Sequence, residues 1–102
     1  MIPNHAKFIA AIADRKKVGI RFYSKADNGV LDRICAPLNY GAGNDSLDAL
    51  NRYWLWDYAS LTGIHTLGLV PQQIVELSVL GEDFDASEFA SEPPTVNATS
   101  RL

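Results

Sequence analysis

Residues 52–58 place four aromatic side chains within seven positions, although aromatic residues make up only 10% of this 102-residue chain. Aromatic residues are enriched in strands because they pack well on a pleated, half-buried surface. Successive side chains of a strand alternate between its two faces, so Tyr53 and Leu55 would point one way and Trp54 and Trp56 the other. Because both faces carry large rings, a single core cannot hide them all. The sequence therefore predicts that the remaining rings meet a helix, a partner or a ligand.

Length and charge limit the class of protein. A chain of 102 residues that is 47% hydrophobic predicts one domain with a modest core. The net charge of −3 and the pI of about 5.2 disfavour broad binding to nucleic acid or to anionic membranes. Cys35 is the single cysteine, so no internal disulfide or thiol metal cluster is expected. No apolar run approaches the ~20 residues of a membrane-spanning helix, and the N-terminus lacks a signal-peptide pattern. We expect a cytoplasmic protein.

The N-terminal region predicts a helix over residues 4–16. The Asn4 side chain can accept a hydrogen bond from a free N–H group of the first turn. Four apolar side chains recur at helical spacing and predict one buried face: Phe8, Ile9, Ile12 and Ala13.

Five short strands are predicted after this helix, at residues 18–24, 30–38, 53–58, 64–70 and 74–80. Asp27-Asn28-Gly29 is a strong tight-turn signal between the first two strands, because Asn and Gly tolerate positive φ. Pro37 cannot donate a ladder hydrogen bond, so it marks an edge or a bend. Residues 41–52 predict a long loop, and Pro71 begins a single turn of tight helix before the last strand.

The predicted fold is mainly β with an N-terminal α-helix, a five-stranded SH3/Sm-like small barrel with a one-turn helix before the last strand. Residues 84–90 predict a short terminal helix anchored by Phe84 and Phe89. We expect one domain over residues 1–91 and a disordered tail over 92–102, where Pro, Ser, Thr and Asn leave little to bury.

Four segments, in their order and spacing, resemble the WYL domain. Residues 18–22 (Val-Gly-Ile-Arg-Phe) resemble its first strand, and residues 33–38 (Arg-Ile-Cys-Ala-Pro-Leu) resemble its second-strand signature. Residues 53–55 (Tyr-Trp-Leu) match the Trp-Tyr-Leu triplet that names the family, with the two aromatics exchanged. Residues 73–80 (Gln-Ile-Val-Glu-Leu-Ser-Val-Leu) resemble its closing strand. The resemblance covers roughly residues 5–85 and implies a ligand-sensing or regulatory module of the kind found in bacterial transcription regulators and phage-defence proteins.

The chain departs from this family in two respects. Gln73 stands where the family usually has Arg, and residues 67–73 carry no charge. The basic surface through which WYL domains are thought to bind nucleotides or nucleic acid is thereby reduced to a few residues: Arg33, with Arg21, Arg52 and His65. In regulators a helix-turn-helix precedes the WYL domain, and 16 residues hold one helix rather than three. We therefore expect this chain not to read an operator by itself.

The candidate ligand-binding residues are Arg33, Tyr53, Tyr23, His65 and Arg52. The resemblance selects Arg33, whose guanidinium could hold a phosphate or carboxylate bidentately; the alternative is a solvated side chain or an ion pair with a residue such as Asp57. The aromatic side chains could stack a base or pack in the core. We predict packing for Trp54 and Trp56 and ligand contact for Tyr53, with Tyr23 beside it.

No enzyme is predicted, because no Ser/His/Asp constellation and no phosphate loop is present. The two histidines and one cysteine are widely spaced and give no metal signature, so no metal or cofactor is expected. Cys35 lies in mid-strand and is interpreted as a small apolar core residue.

The sequence supports three hypotheses for function. The first is a WYL-like regulatory module that binds a small anionic, nucleotide-like ligand and regulates a protein partner. The second is a protein-interaction or homo-oligomerisation module, because surplus rings suit an interface. The third, single-stranded nucleic-acid binding, is disfavoured by the acidic balance.

Overall fold

The computed structural model describes residues 1–42, 50–59, 65–85 and 87. One helix, α1 (His5–Asp14), is followed by five strands: β1 (Lys16–Ser24), β2 (Gly29–Ala42), β3 (Asn51–Asp57), β4 (Thr66–Leu69) and β5 (Ile74–Asp83). A single turn of 3-10 helix, Pro71–Gln73, precedes β5. The predicted fold class is confirmed, since the described chain is mainly β with an N-terminal helix and a one-turn helix before the last strand.

The five strands form one antiparallel sheet in the order β4-β3-β2-β1-β5. Within the described ranges β4 does not pair with β5, so the two ends of the sheet do not meet. The architecture is a small barrel-like sheet, as predicted, although it is not a closed barrel.

Strand β2 is long, bends near its middle and pairs with two neighbouring strands. Its first half pairs with β1 and its second half with β3, and Cys35 pairs with Val18 on one side and Asp57 on the other. The register shifts between Pro37 and Asn39, where proline cannot donate a ladder bond. The expected bend at Pro37 is therefore present, but the strand continues to Ala42 instead of ending there.

The β1–β2 connection is a tight turn, as the Asp-Asn-Gly signal predicts. Asn28 has a φ of 53°, a conformation that asparagine tolerates better than most residues. The Ser24 hydroxyl and the Asp27 side chain hydrogen-bond across the turn at 2.8 Å. Because this turn pins the register, Tyr23 lies opposite Val30 and Arg21 lies opposite Asp32.

The buried face of α1 agrees with the predicted one in part, because Phe8 is buried and Ile12 packs against the core. Phe8 and Ala11 are buried, whereas Ile9 is 42% exposed and Ala13 is exposed. Asn4 makes no side-chain cap; its Nδ2 instead donates to the Leu77 carbonyl of β5 at 2.7 Å. The side of α1 that carries Phe8 and Ala11 therefore faces the sheet, and Ile9 points away from it.

The core lies between α1 and the inner face of the sheet. Its fully buried members include Phe8, Val18, Cys35, Tyr53 and Leu55. Full burial of one such side chain contributes about 1.5–3 kcal/mol. The rings of Phe8 and Tyr53 meet edge to face with centroids 4.9 Å apart. The prediction that part of the aromatic strand meets a helix is therefore correct.

The C-terminal predictions are described only in part. Phe84 is buried, and its backbone N–H donates to the Arg15 carbonyl at 2.9 Å, but Phe84 and Asp85 are not helical, so the predicted helix does not begin at residue 84. Phe89, residues 43–49 of the predicted loop and the predicted tail at 92–102 lie outside the described residues.

Candidate functional site

A depression of about 660 Å³ lies on the outer face of the sheet, over β1, β2 and β5. We call it the outer depression; it is lined by Gly19, Ile20, Arg21, Asp32, Arg33, Ile34, Tyr58, Ala59, Glu76 and Ser78. Gly19 lies between Ile34 and Ser78 in the sheet. Glycine has no side chain, and a Cβ atom at this central position would lie 3.5 Å from the Ser78 hydroxyl oxygen. The absence of a Gly19 side chain therefore helps to keep the depression open.

A row of three charged side chains crosses the outer depression. Arg21 lies opposite Asp32 of β2 and opposite Glu76 of β5. Its Nε donates to Asp32 Oδ1 at 2.8 Å, and its Nη1 lies 3.7 Å from Glu76 Oε1. The hydrogen bond and the charge of Asp32 raise the pKa of the Arg21 guanidinium above its ordinary value. Arg21 therefore stays charged and is held in position by its neighbours.

Apolar and aromatic groups flank this charged row. Ile34 is 53% exposed and presents an apolar surface beside the row. Tyr58, just after β3, is half-buried, and the Lys17 ammonium lies 4.6 Å from its ring centroid. The outer depression thus combines one oriented guanidinium group, that of Arg21, with surfaces that can contact a flat apolar group.

Arg33 borders the same depression, but it lies opposite Ile20 on the inner face of the sheet and already has partners. Its Nη1 donates to the Asp32 carbonyl at 3.0 Å, and its Nε lies 3.5 Å from Asp57 Oδ2. The Asp57 side chain is only 15% exposed, and its other oxygen accepts from the Ala59 N–H at 2.9 Å. Arg33 therefore forms the ion pair with Asp57 that was the predicted alternative to ligand binding.

Cys35 lies in the core beside this ion pair. It is fully buried, and burial, followed by the Asp57 charge, raises the pKa of its thiol from 9.0 to about 12. A nucleophilic cysteine requires the thiolate. At neutral pH Cys35 is therefore an inert thiol that fills space in the core.

The predicted aromatic contact residues are not at the outer depression. Tyr53 is fully buried, and its hydroxyl accepts from the Ile2 N–H at 3.1 Å and lies 2.8 Å from His5 Nδ1. A residue without exposed surface cannot contact a ligand there. Tyr23 is 38% exposed, but it lies at the hairpin turn, where its hydroxyl donates to Asn28 Oδ1 at 2.9 Å.

The other two predicted ligand residues lie on β3 and next to β4. His65 stacks on Trp56 with ring centroids 4.7 Å apart, and Arg52 lies opposite Gly41 near the start of β3. Of the five predicted residues, Arg33 is the member that lines the outer depression. The five predicted ligand-binding residues therefore do not come together in one site.

The two tryptophans pack, as predicted, but against neighbouring residues on the outer face of the sheet and not in the core or on α1. Trp54 lies across Gly68 of β4, and its Nε1 donates to the Gly41 carbonyl at 2.9 Å. Trp56 is half-buried under the His65 ring. Both rings therefore contact other residues of the sheet and its connections, which supports a structural role for them.

Gln73, the position where the resembling family has Arg, is engaged by the backbone. Its Oε1 accepts from the Val70 N–H at 3.1 Å, and its Nε2 donates to the Tyr23 carbonyl at 3.2 Å. Gln73 therefore fastens the 3-10 turn to β1 and supplies no charge for a ligand.

Sequence reasoning missed Asp32, Glu76, Ile34 and Tyr58 as neighbours of Arg21. The alternation of β1 placed Arg21 on the face opposite Ile20, which was a usable signal. The cross-strand partners depend on register, and the register of β5 against β1 shifts between Arg21 and Phe22. That shift could not be read from the pattern.

Clusters of metal-ligating side chains and membrane-spanning helices are both absent from the part of the chain that the structure describes. No group of three or more His, Cys, Asp or Glu side chains there could hold a metal ion. Among the same residues, no helix has the length and apolarity needed to cross a bilayer.

Comparisons with known proteins inform the fold. No protein-family model matches this chain, and no curated protein matches it significantly. Among solved structures, it is similar to proteasome accessory factor B/C (PafBC) of Arthrobacter aurescens, with a TM-score of 0.64 and 18% sequence identity. The match covers 86% of this chain and 13% of that chain. PafBC contains a WYL domain, so the likeness is consistent with a WYL-like fold. At this identity the likeness concerns the fold alone.

Proposed function

We propose that this chain is a WYL-like regulatory binding module that binds a small anionic, nucleotide-like ligand in the outer depression and regulates a partner. The observation that carries the proposal is that the Arg21 guanidinium lies on the outer face beside Tyr58 and the exposed Ile34, in a depression that Arg33 also borders. Guanidinium groups bind phosphate and carboxylate with paired hydrogen bonds. Aromatic side chains can stack on any base.

The charges of the outer depression set the expected strength of binding. Asp32 and Glu76 offset the charge of Arg21, and Asp57 offsets that of Arg33, so a phosphate must compete with carboxylates that are already present. We therefore expect weak to moderate affinity that decreases with added salt, because exposed charges are screened. The same balance disfavours tight binding of long nucleic acids, which requires a surplus of positive charge.

Isothermal titration calorimetry with AMP, GMP, CMP and inorganic phosphate tests the proposal. Arg21→Gln should weaken nucleotide binding by about tenfold, the loss of one charge-assisted hydrogen-bonding group. The role of Arg33 is tested in the double variant Arg33→Gln/Asp57→Asn, because Arg33→Gln alone would leave the Asp57 carboxylate without its cation. Lys25→Gln at the hairpin turn is the charge-matched control. Absence of nucleotide binding, or equal losses in all three variants, would contradict the proposal.

A second candidate function is protein interaction or homo-oligomerisation. Three large apolar or aromatic side chains are exposed on the outer face of β1 and β2: Tyr23, Val30 and Ile34, at 38%, 55% and 53%. Tyr23 and Val30 lie opposite each other, and the Arg21–Asp32 pair separates them from Ile34. Exposed apolar surface can mark an interaction site. Sedimentation equilibrium of the wild type and of Ile34→Gln tests this function. A wild-type monomer at all concentrations would count against homo-oligomerisation.

A further inference from the structure

The guanidinium of Arg21 has two edges that can each make paired hydrogen bonds to an oxyanion, Nε with Nη2 and Nη1 with Nη2. Asp32 occupies the first edge, with Nε–Oδ1 at 2.8 Å and Nη2–Oδ2 at 3.4 Å. Two contacts fix the plane of a guanidinium, whereas one contact leaves it free to rotate. Asp32 therefore orients Arg21 on the outer face of the sheet.

The second edge of Arg21 is only loosely engaged. Glu76 Oε1 lies 3.7 Å from Nη1, which is longer than a hydrogen bond. The Glu76 side chain is 69% exposed and that of Arg21 is 49% exposed. An incoming anion can therefore reach this edge, at the cost of repulsion from the Glu76 carboxylate.

Arg33 is the less suitable of the two arginines for this task. Its side chain is 31% exposed, its Nη1 already donates to the Asp32 carbonyl, and Asp57 lies close to its Nε. Withdrawing Arg33 toward a ligand would leave the poorly exposed Asp57 carboxylate without its partner, which is costly. Arg21 can bind an anion without breaking its bonds to Asp32.

From these contacts we propose that Arg21 holds the anion through its Nη1/Nη2 edge, that Asp32 is a positioning residue for Arg21, and that Glu76 competes with the anion for that edge. This inference rests on the proposed function and names the residues that give the outer depression its ligand preference. The ligand class that follows is a compact oxyanion, such as a terminal phosphate, that fits one guanidinium edge.

The proposal assigns opposite effects to two carboxylates of equal charge. Removing the Glu76 charge frees the binding edge and lowers repulsion, so anion binding becomes tighter. Removing the Asp32 charge also lowers repulsion, but it releases the guanidinium from its fixed orientation, so anion binding becomes weaker. A surface that acted through its net charge alone would bind anions more tightly after either change.

The experiment titrates AMP and inorganic phosphate calorimetrically into the wild type, Glu76→Gln and Asp32→Asn. Asp14→Asn on α1 is the charge-matched control away from the outer depression. Glu76→Gln should tighten AMP binding by about threefold or more, and Asp32→Asn should weaken it by about the same factor, as expected for exposed ion pairs. Asp14→Asn should leave it unchanged. Circular dichroism verifies that each variant is folded.

The outcomes separate this inference from the proposed function. If AMP binds and both carboxylate substitutions tighten binding, or if Arg21→Gln binds AMP as the wild type does, the inference is wrong and the proposed function stands. If neither AMP nor phosphate binds to the wild type or to Glu76→Gln, both the inference and the anionic-ligand function are overturned.

Discussion

The indole ring of Trp54 lies across Gly68 on the neighbouring strand, so closely that a Cβ atom on Gly68 would fall 2.6 Å from Trp54 Cε3. Glycine at this position allows the ring to lie flat on β4, where its Nε1 reaches the Gly41 carbonyl. The relationship ties β2, β3 and β4 together on the outer face. It also explains how a strand with large rings on both faces remains part of a small sheet.

Gly68→Ala should displace the Trp54 ring and lower the free energy of unfolding by roughly 1–3 kcal/mol, as overpacking does. Urea unfolding monitored by tryptophan fluorescence measures the loss, and a changed emission maximum of the folded state reports the moved ring. Gly81→Ala is the control, because a Cβ atom at that position of β5 would meet nothing within 4 Å. Equal stability of the two variants would contradict the assigned packing.

Tyr53→Phe should destabilise the attachment of α1 to the sheet. The Tyr53 hydroxyl accepts from the Ile2 N–H and contacts His5 Nδ1, and its loss leaves the Ile2 N–H without that partner. The expected decrease in the free energy of unfolding is about 1–3 kcal/mol. Hydrogen exchange should increase across α1 more than across β1.

The matched control for that variant is Tyr23→Phe, which removes a hydroxyl bonded to Asn28 at the exposed hairpin turn. Its effect should stay within about 0.5 kcal/mol, as for most surface substitutions. A Tyr23→Phe cost as large as that of Tyr53→Phe would show that the buried hydroxyl has no special role.

Alkaline pH should destabilise the fold through Cys35. Its thiol has a pKa of about 12 in the folded chain against 9.0 for the free group. As pH rises above about 9, the unfolded chain releases this proton while the folded chain retains it, so stability decreases with pH up to about 12. At pH 10 this difference in pKa lowers the free energy of unfolding by about 1 kcal/mol.

Urea unfolding of the wild type and of Cys35→Ala at pH 8 and pH 10 measures this contribution. The stability lost between the two pH values should be smaller in Cys35→Ala, which has no thiol to ionise. Each variant is compared with itself at the two pH values, so the stability lost through the smaller Ala side chain does not enter the comparison. The raised pKa of Tyr53 affects both chains equally, so its contribution to the pH dependence cancels as well. Identical losses would contradict the assigned environment of Cys35.

The ion pair of Arg33 and Asp57 should show strong coupling in a double-mutant cycle. Arg33→Gln leaves the poorly exposed Asp57 carboxylate without a cation and should cost roughly 1–3 kcal/mol. Adding Asp57→Asn should recover part of that cost, because the uncompensated charge is removed. Additive effects in thermal or urea unfolding would indicate that the two side chains act independently.

The sequence predicted those parts of the fold that local pattern determines. The Asp-Asn-Gly turn, the alternation of β1 and the proline before the last strand each specify local structure, and all three appear as expected. The face of α1 was predicted in part: Phe8 and Ile12 pack on the core, whereas Ile9 and Ala13 are exposed. The predicted Asn4 cap is replaced by a hydrogen bond to β5. That contact joins residues far apart in the sequence, and helical periodicity carries no information about it.

The candidate site was predicted less well, for a similar reason. The aromatic strand indicated surplus rings but not which face meets α1, so Tyr53 was expected at the surface although it lies in the core. Arg33 was correctly given an alternative pairing with Asp57. The Asp32, Arg21 and Glu76 row depends on the register of three strands, including a shift in β5, and residue spacing cannot supply that register.

The most direct test of the central claim is an NMR titration of the isotope-labelled chain with AMP. We predict backbone amide shift changes at Gly19, Arg21, Ile34 and Glu76, four of the residues that line the outer depression. Residues of the hairpin turn and around His65 should change little. No shift changes, or changes centred on the hairpin turn or His65 instead, would contradict the assignment of the outer depression as the ligand site.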